Sequence, residues 1–123
     1  MKIRQCSKSG FTLVEIMIVV AIIGMLATMA MPAFKKAREK SAKTTCISNL
    51  HNIDGAIQQW ATDMRKDEGA PVTFQDIASY LQNDVSCPSG GSTFEDSYTI
   101  TTVDAPPTCQ RKPETHKLPN RLK

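Results

Sequence analysis

From Ile16 to Phe34 the chain runs for nineteen residues without a charge. As a helix rising about 1.5 Å per residue this stretch covers roughly 28 Å, close to the ~30 Å hydrocarbon thickness of a bilayer. Its side chains are apolar on every side rather than along one stripe, which suits lipid or the centre of a helical assembly. Gly24 and Pro32 interrupt it, and both are tolerated in membrane helices where neighbouring groups re-satisfy the freed carbonyl. The whole chain has 123 residues. Setting aside this segment and a polar end leaves about 75 residues for a core, too few for a large enzyme.

The helix does not stop at Phe34. Residues 35–43 hold five cations and one anion with no Pro or Gly. Ile47, Leu50, Ile53, Ile57, Trp60 and Met64 then recur every three or four positions, the spacing of an amphipathic helix. Arg65 and Lys66 in a last turn, Gly69 as a left-handed cap and Pro71 beyond predict a single helix over about 11–66, ~80 Å long. No compact domain of this size encloses such a rod, so its first half requires lipid or other subunits.

Past Pro71 the chain reads as a small head on the second half of the rod. Thr73 with Asp76 forms a capping-box pattern, and Val72 and Ile77 sit at the staple positions, predicting a short helix at about 74–82. Cys87-Pro-Ser-Gly-Gly91 is a turn cluster. Residues 97–103 are aromatic, β-branched and alternating, which predicts a strand with partners around 92–96 and 107–111 and the loop 104–107 between. From Gln110 the chain is polar and basic, expected to be loosely ordered.

Charge is segregated along this layout. The sequence nets +3 overall, and the first ten residues hold Lys2, Arg4 and Lys8 with no acid. Residues 35–43 net +4, residues 44–109 net −7, and residues 110–123 net +4. The chain is not generally basic, and no nucleic-acid partner is expected. An acidic head between two basic segments favours axial stacking of subunits; basic residues near lipid head groups explain the same pattern equally well.

The stretch Lys8-Ser-Gly-Phe-Thr-Leu-Val-Glu-Ile16 places a carboxylate, Glu15, inside an otherwise apolar run. An ionised side chain at a membrane-helix centre costs about 2.5–3.5 kcal/mol and needs a partner or a place near the interface. Cutting after Gly10 would create an ammonium on Phe11, four residues from Glu15. Between parallel helices offset along their axes, the carboxylate of one would reach the amine of the next. Glu15 would then set the register of stacked helices.

Gly10-Phe-Thr-Leu-Val-Glu15, the uncharged stretch after it, Gly24 and Pro32 resemble the amino-terminal segment of type IV prepilins and type II secretion pseudopilins. The resemblance covers residues 8–34. It implies a leader over 1–10, a transmembrane and filament-core helix over 11–34, an amphipathic continuation with an α+β head over 35–109, and a basic tail over 110–123. The implied fold is α+β: a long amino-terminal helix packed on a small antiparallel sheet. A prepilin peptidase on the cytoplasmic side of the inner membrane would cut between Gly10 and Phe11 and methylate the Phe11 amine. Glu15 would be the assembly carboxylate, and Gly24 and Pro32 would kink the helix. Implied partners are other pilin-like subunits, an inner-membrane assembly platform and its ATPase. The head would lie in the periplasm before assembly and at the cell surface or in a filament afterwards. The leader departs from the family in carrying Cys6, and Phe94-Glu-Asp-Ser97 looks like an insertion.

The region from Cys87 to Cys109 is similar to the cysteine-bracketed end of some pilin-like proteins. A bridge there would close 21 residues and stabilise a small domain by about 3 kcal/mol in the chain-entropy model. Cys46, beside the apolar stripe, is expected to be a buried core thiol. His51 and His116 lack ligand spacing and are expected to face solvent or bond locally. Asp84, Glu95, Asp96 and Asp104 could crowd one region, without the spacing of a calcium loop. No metal and no cofactor are assigned. With no phosphate loop and no nucleophile beside a base, catalysis is not expected. Two other classes compete: a signal-anchored periplasmic binding protein that never polymerises, and an ordinary secreted domain.

Overall fold

A computed structural model describes residues 9–119. Most of the leader, including Cys6, and the last four residues lie outside the described residues. The chain divides into two units at Lys36/Ala37.

The first element, α1, is one 51-residue helix, Leu13–Asp63, which passes through Gly24 and Pro32. Within Leu13–Lys36 it buries nothing, and every large apolar side chain from Phe11 to Phe34 is more than half exposed. Pro32 lacks an N–H, so the Thr28 carbonyl loses its partner one turn on.

The carboxy-terminal part of α1 supplies one wall of the core. Cys46, Leu50, Ile53, Ile57 and Trp60 are buried, a spacing of four, three, four and three that keeps one stripe facing inward. The stripe therefore begins at Cys46 and not at Ile47, which is only half-buried. Its expected end, Met64, is 55% exposed.

The reason lies in how the helix stops. Lys66 N–H bonds to the Ala61 carbonyl at 2.8 Å and Arg65 N–H to the Thr62 carbonyl at 3.3 Å, the two bonds of a Schellman motif. The left-handed residue between them is Arg65 (φ 50°), not the expected Gly69. The helix thus ends a turn early, with Met64 outside the core.

The head opposite this stripe has little regular structure. A one-turn helix, α2 (Phe74–Ile77), replaces the longer one expected over 74–82. The Asp76 carboxylate accepts from the Thr73 N–H at 2.9 Å and hydroxyl at 2.6 Å, while Val72 and Ile77 are both buried as a staple requires.

Residues 92–96 form no partner strand. They initiate a second one-turn helix, α3 (Phe94–Ser97), capped by Thr93. The strand expected over 97–103 shrinks to β1 (Tyr98–Thr99), paired antiparallel with β2 (Thr108–Cys109) in the register Tyr98 to Cys109. Its other half turns to a different neighbour. Val72 N–H bonds to the Thr101 carbonyl and Val103 N–H to the Ala70 carbonyl, around a bridge between Pro71 and Thr102. The α+β class with a two-stranded antiparallel sheet stands, with two short pairings in place of one strand.

Side chains close the core. Phe74 stacks on Phe94 at 4.4 Å between centroids, and Phe94 meets Tyr98 at 5.7 Å. Of the segment expected to be loose, residues 110–119 are described and are tied down: Gln110 N–H bonds to the Ser97 carbonyl, its side-chain amide reaches Glu95, Tyr98 and Thr99, and Leu118 packs on the core.

Candidate functional site

Two places gather the chemistry-bearing residues, one in each unit. The first is the start of α1. Phe11 is 87% exposed, and a side chain built at Gly10 would meet nothing within 4 Å. Packing within this chain therefore gives no reason for glycine there. Thr12 caps the helix: its N–H and hydroxyl both donate to Glu15 Oε2 at 2.8 Å, and its Oγ accepts from the Glu15 N–H at 3.2 Å. This reciprocal pair is a capping box that satisfies orphan donors of the first turn. The carboxylate singled out from the sequence thus lies exposed at the first turn of the apolar helix, held by its own cap residue.

Beyond it, α1 is long and apolar enough to cross a membrane. Gly24 faces open space, leaving a notch where another helix can approach closely.

The second place is in the head. Cys46 of α1, Cys87 before the Pro88–Gly91 turn, Cys109 of β2 and His116 of the final segment are all buried, and their three sulfurs and one ring nitrogen lie within 4.8 Å of one another. Cys87 Sγ and Cys109 Sγ are 3.6 Å apart, and His116 Nδ1 is 3.8 Å from each. Among the described residues this is the one group of three or more potential metal ligands.

The geometry corrects two expectations. Cys87 and Cys109 meet, but as free thiols; at 3.6 Å they are not bridged, since a disulfide requires about 2.05 Å, and Cys46 and His116 share the space with them. His116 is 3% exposed and faces sulfur instead of solvent. Cys46 is a buried core thiol, as expected, and it lies beside the other three donors. His51 is exposed, as expected.

The local fold builds this convergence. Gly90 adopts φ 112°, and Gly91 N–H bonds to the Cys87 carbonyl at 2.8 Å, so the turn folds back over its cysteine. A Cβ at Gly91 would collide with Ser97 and with the Cys87 backbone. Cys109 is placed by its pairing with Tyr98, and Tyr98 in turn accepts at its hydroxyl from Asn49 at 3.0 Å.

The electrostatics distinguish the thiols. Burial pushes the Cys46 thiol up, although the Tyr98 hydroxyl bonds to it. Burial opposes ionisation of Cys109 too, but backbone N–H groups of Lys112 and Arg111 and the neighbouring thiols hold it below the usual range. Burial, with the charges of Lys112 and Lys43, lowers His116 and favours a neutral imidazole.

The acidic residues do not assemble. Asp96 bonds to the Ser92 and Thr93 N–H groups and pairs with Arg111 at 2.9 Å. These bonds, the Ser92 amide foremost, hold its carboxyl down to about 2.

Residues 6–31 match the family model described as the prokaryotic N-terminal methylation motif. The chain is 34% identical over 87 residues to fimbrial protein Q of Moraxella bovis, covering 71% of this chain and 52% of that protein. It is 36% identical over 80 residues to the type II secretion system core protein G of Klebsiella pneumoniae, covering 65% and 52%. For the core protein G of Escherichia coli (strain K12) the figures are 33% over 73 residues, 59% and 48%. The chain spans about half the length of these curated relatives. No solved structure matches it. The methylation motif over the start of an exposed, uncharged helix, together with relatives among both fimbrial and secretion proteins, makes the chain similar to type IV pilins and type II secretion pseudopilins.

Proposed function

We propose that the protein is a structural, non-enzymatic subunit of a type IV pilus or type II secretion pseudopilus. It would be stored in the inner membrane with its head in the periplasm, cut after Gly10 by prepilin peptidase, methylated at Phe11, and built into a filament by an inner-membrane platform and its ATPase. The observation that carries this reading is the exposed apolar surface of α1 from Leu13 to Phe34, more than half exposed at every large apolar side chain and with Glu15 as its one charge. Such a surface is stable only in lipid or against other helices, and the same segment can serve first one and then the other.

Glu15 gives the assembly its register. In the single chain its carboxylate is satisfied by Thr12, so it enters the bilayer edge with its hydrogen bonds made. Stacking exchanges these bonds for the Phe11 ammonium of an adjoining subunit in a dry interior. Removing one partner of a buried ion pair costs about 3–5 kcal/mol. The open notch at Gly24 supports close approach of those helices.

The test is Glu15→Leu in cells that carry the assembly machinery. The variant should reach the membrane at normal levels, since an apolar side chain inserts more easily than a carboxylate. Sheared filaments counted by electron microscopy should fall at least tenfold. Filaments at normal number and length would remove Glu15 from assembly.

A further inference from the structure

We propose that Cys46, Cys87, Cys109 and His116 bind one divalent metal ion of the zinc class as a structural clamp for the head. The proposal does not rest on the filament reading. It rests on four donors converging in the protein interior from four separate parts of the chain.

The spacing fits a tetrahedral ion. With Zn–S near 2.3 Å and Zn–N near 2.0–2.1 Å, tetrahedral edges are about 3.8 Å between sulfurs and about 3.6 Å between sulfur and nitrogen. The observed 3.6 Å from Cys87 to Cys109 and 3.8 Å from His116 to each sulfur lie within a few tenths of these values. Cys46 completes the set within 4.8 Å. Three soft sulfurs and one imidazole select zinc over calcium or magnesium, which take oxygen ligands. All four ligand positions come from the protein and all four residues are buried, so no coordination site is left for a substrate, which marks the centre as structural and not catalytic.

The surroundings match the charge such a centre would carry. Binding displaces three thiol protons, leaving one net negative charge on the metal and its ligands. Lys43 and Lys112 lie near enough to act on His116. The Tyr98 hydroxyl lies beside the Cys46 thiol and is itself held by Asn49, an outer shell of the kind that orients metal ligands.

The fold has a use for it. Among the described residues the head past α1 contains two one-turn helices and two two-residue strands, too little regular structure to hold four chain segments together by backbone pairing. Small domains of this kind rely on disulfides or metals. A metal clamp ties α1 to the turn, to β2 and to the final segment in one step, which a single Cys87–Cys109 bridge cannot do.

The experiment uses the full chain in detergent, with Cys6→Ser to remove the remaining thiol. Elemental analysis after growth with added zinc should give one zinc per chain. After the metal is stripped, Co²⁺ should produce the visible bands of a tetrahedral site and a thiolate charge-transfer band, both abolished by Zn²⁺. His116→Ala should weaken zinc binding at least as much as the ~10–100-fold that loss of a second-shell partner costs and make the head protease-sensitive. His116→Cys, which restores a four-donor set, should retain zinc and protease resistance even if His116→Ala fails to fold. The proposal is overturned by a folded chain with no stoichiometric metal, by a Cys87–Cys109 disulfide in non-reducing peptide maps, or by a zinc affinity unchanged in His116→Ala.

Discussion

Thr12 with Glu15, Thr73 with Asp76 and Thr93 with Asp96 answer one problem three times. Each short or exposed helix start leaves orphan N–H groups, and each uses a threonine followed three positions later by an acid. The Thr73–Asp76 pair was legible because a staple of Val72 and Ile77 flanked it. The same pattern at Thr12 was hidden by the larger question of Glu15 in an apolar run, and at Thr93 by the partner strand expected over 92–96. Asp96 offers a test. Its folded-state pKa is about 2, below the ordinary carboxylate value of about 3.9, so its contribution is complete above pH 5 and is lost as pH falls toward 2. Urea midpoints of the parent chain should therefore exceed those of Asp96→Asn at neutral pH, and the gap should close between pH 4 and 2. Arg65 offers a second. It holds a left-handed φ that glycine adopts without steric cost, so Arg65→Gly should stabilise the head by about 0.5–1 kcal/mol, read as a rise of a few degrees in the thermal midpoint. Gly69 looked like the cap because sequence rules prefer glycine, while the bonds of the last turn are already made at Arg65.

At the scale of elements, α1 was legible almost whole, because nineteen uncharged residues followed by a regular apolar stripe leave no competing structure. Its two parts differ in what they bury, and mutations should separate them. Leu50 is fully buried, so Leu50→Ala should destabilise the head by about 2–5 kcal/mol through lost burial and a cavity. Ile18 is 55% exposed, and Ile18→Ala should leave head unfolding in detergent within about 0.5 kcal/mol of the parent chain. Denaturation followed by Trp60 fluorescence reads both. The sheet was only half legible. The pairing of residues 98–99 with 108–109 follows from alternation around a proline loop. The pairing of residues 101–103 with 70–72 does not, since it joins a strand end to a linker with no periodicity. Phe94 is drawn into the aromatic stack with Phe74, and the segment turns helical to place it there.

The whole molecule joins an element that needs neighbours to a head whose core gathers three sulfurs and a ring nitrogen. The first was readable in the chain because its signal is local: a glycine, an aromatic residue, a carboxylate and a long apolar run in order. The second was not, because Cys46, Cys87, Cys109 and His116 are far apart along the chain, and only the folded head brings them together. Cysteine counting led toward a bridge between two of them when the fold brings in four donors. Every functional consequence drawn for the first element depends on the chain being cut at Gly10. The most direct measurement is the mass of the amino-terminal peptide of protein recovered from cells that carry the prepilin peptidase. The account predicts a peptide that begins at Phe11 with one added methyl group. A peptide that retains Met1, or one that begins near Met31, would contradict it.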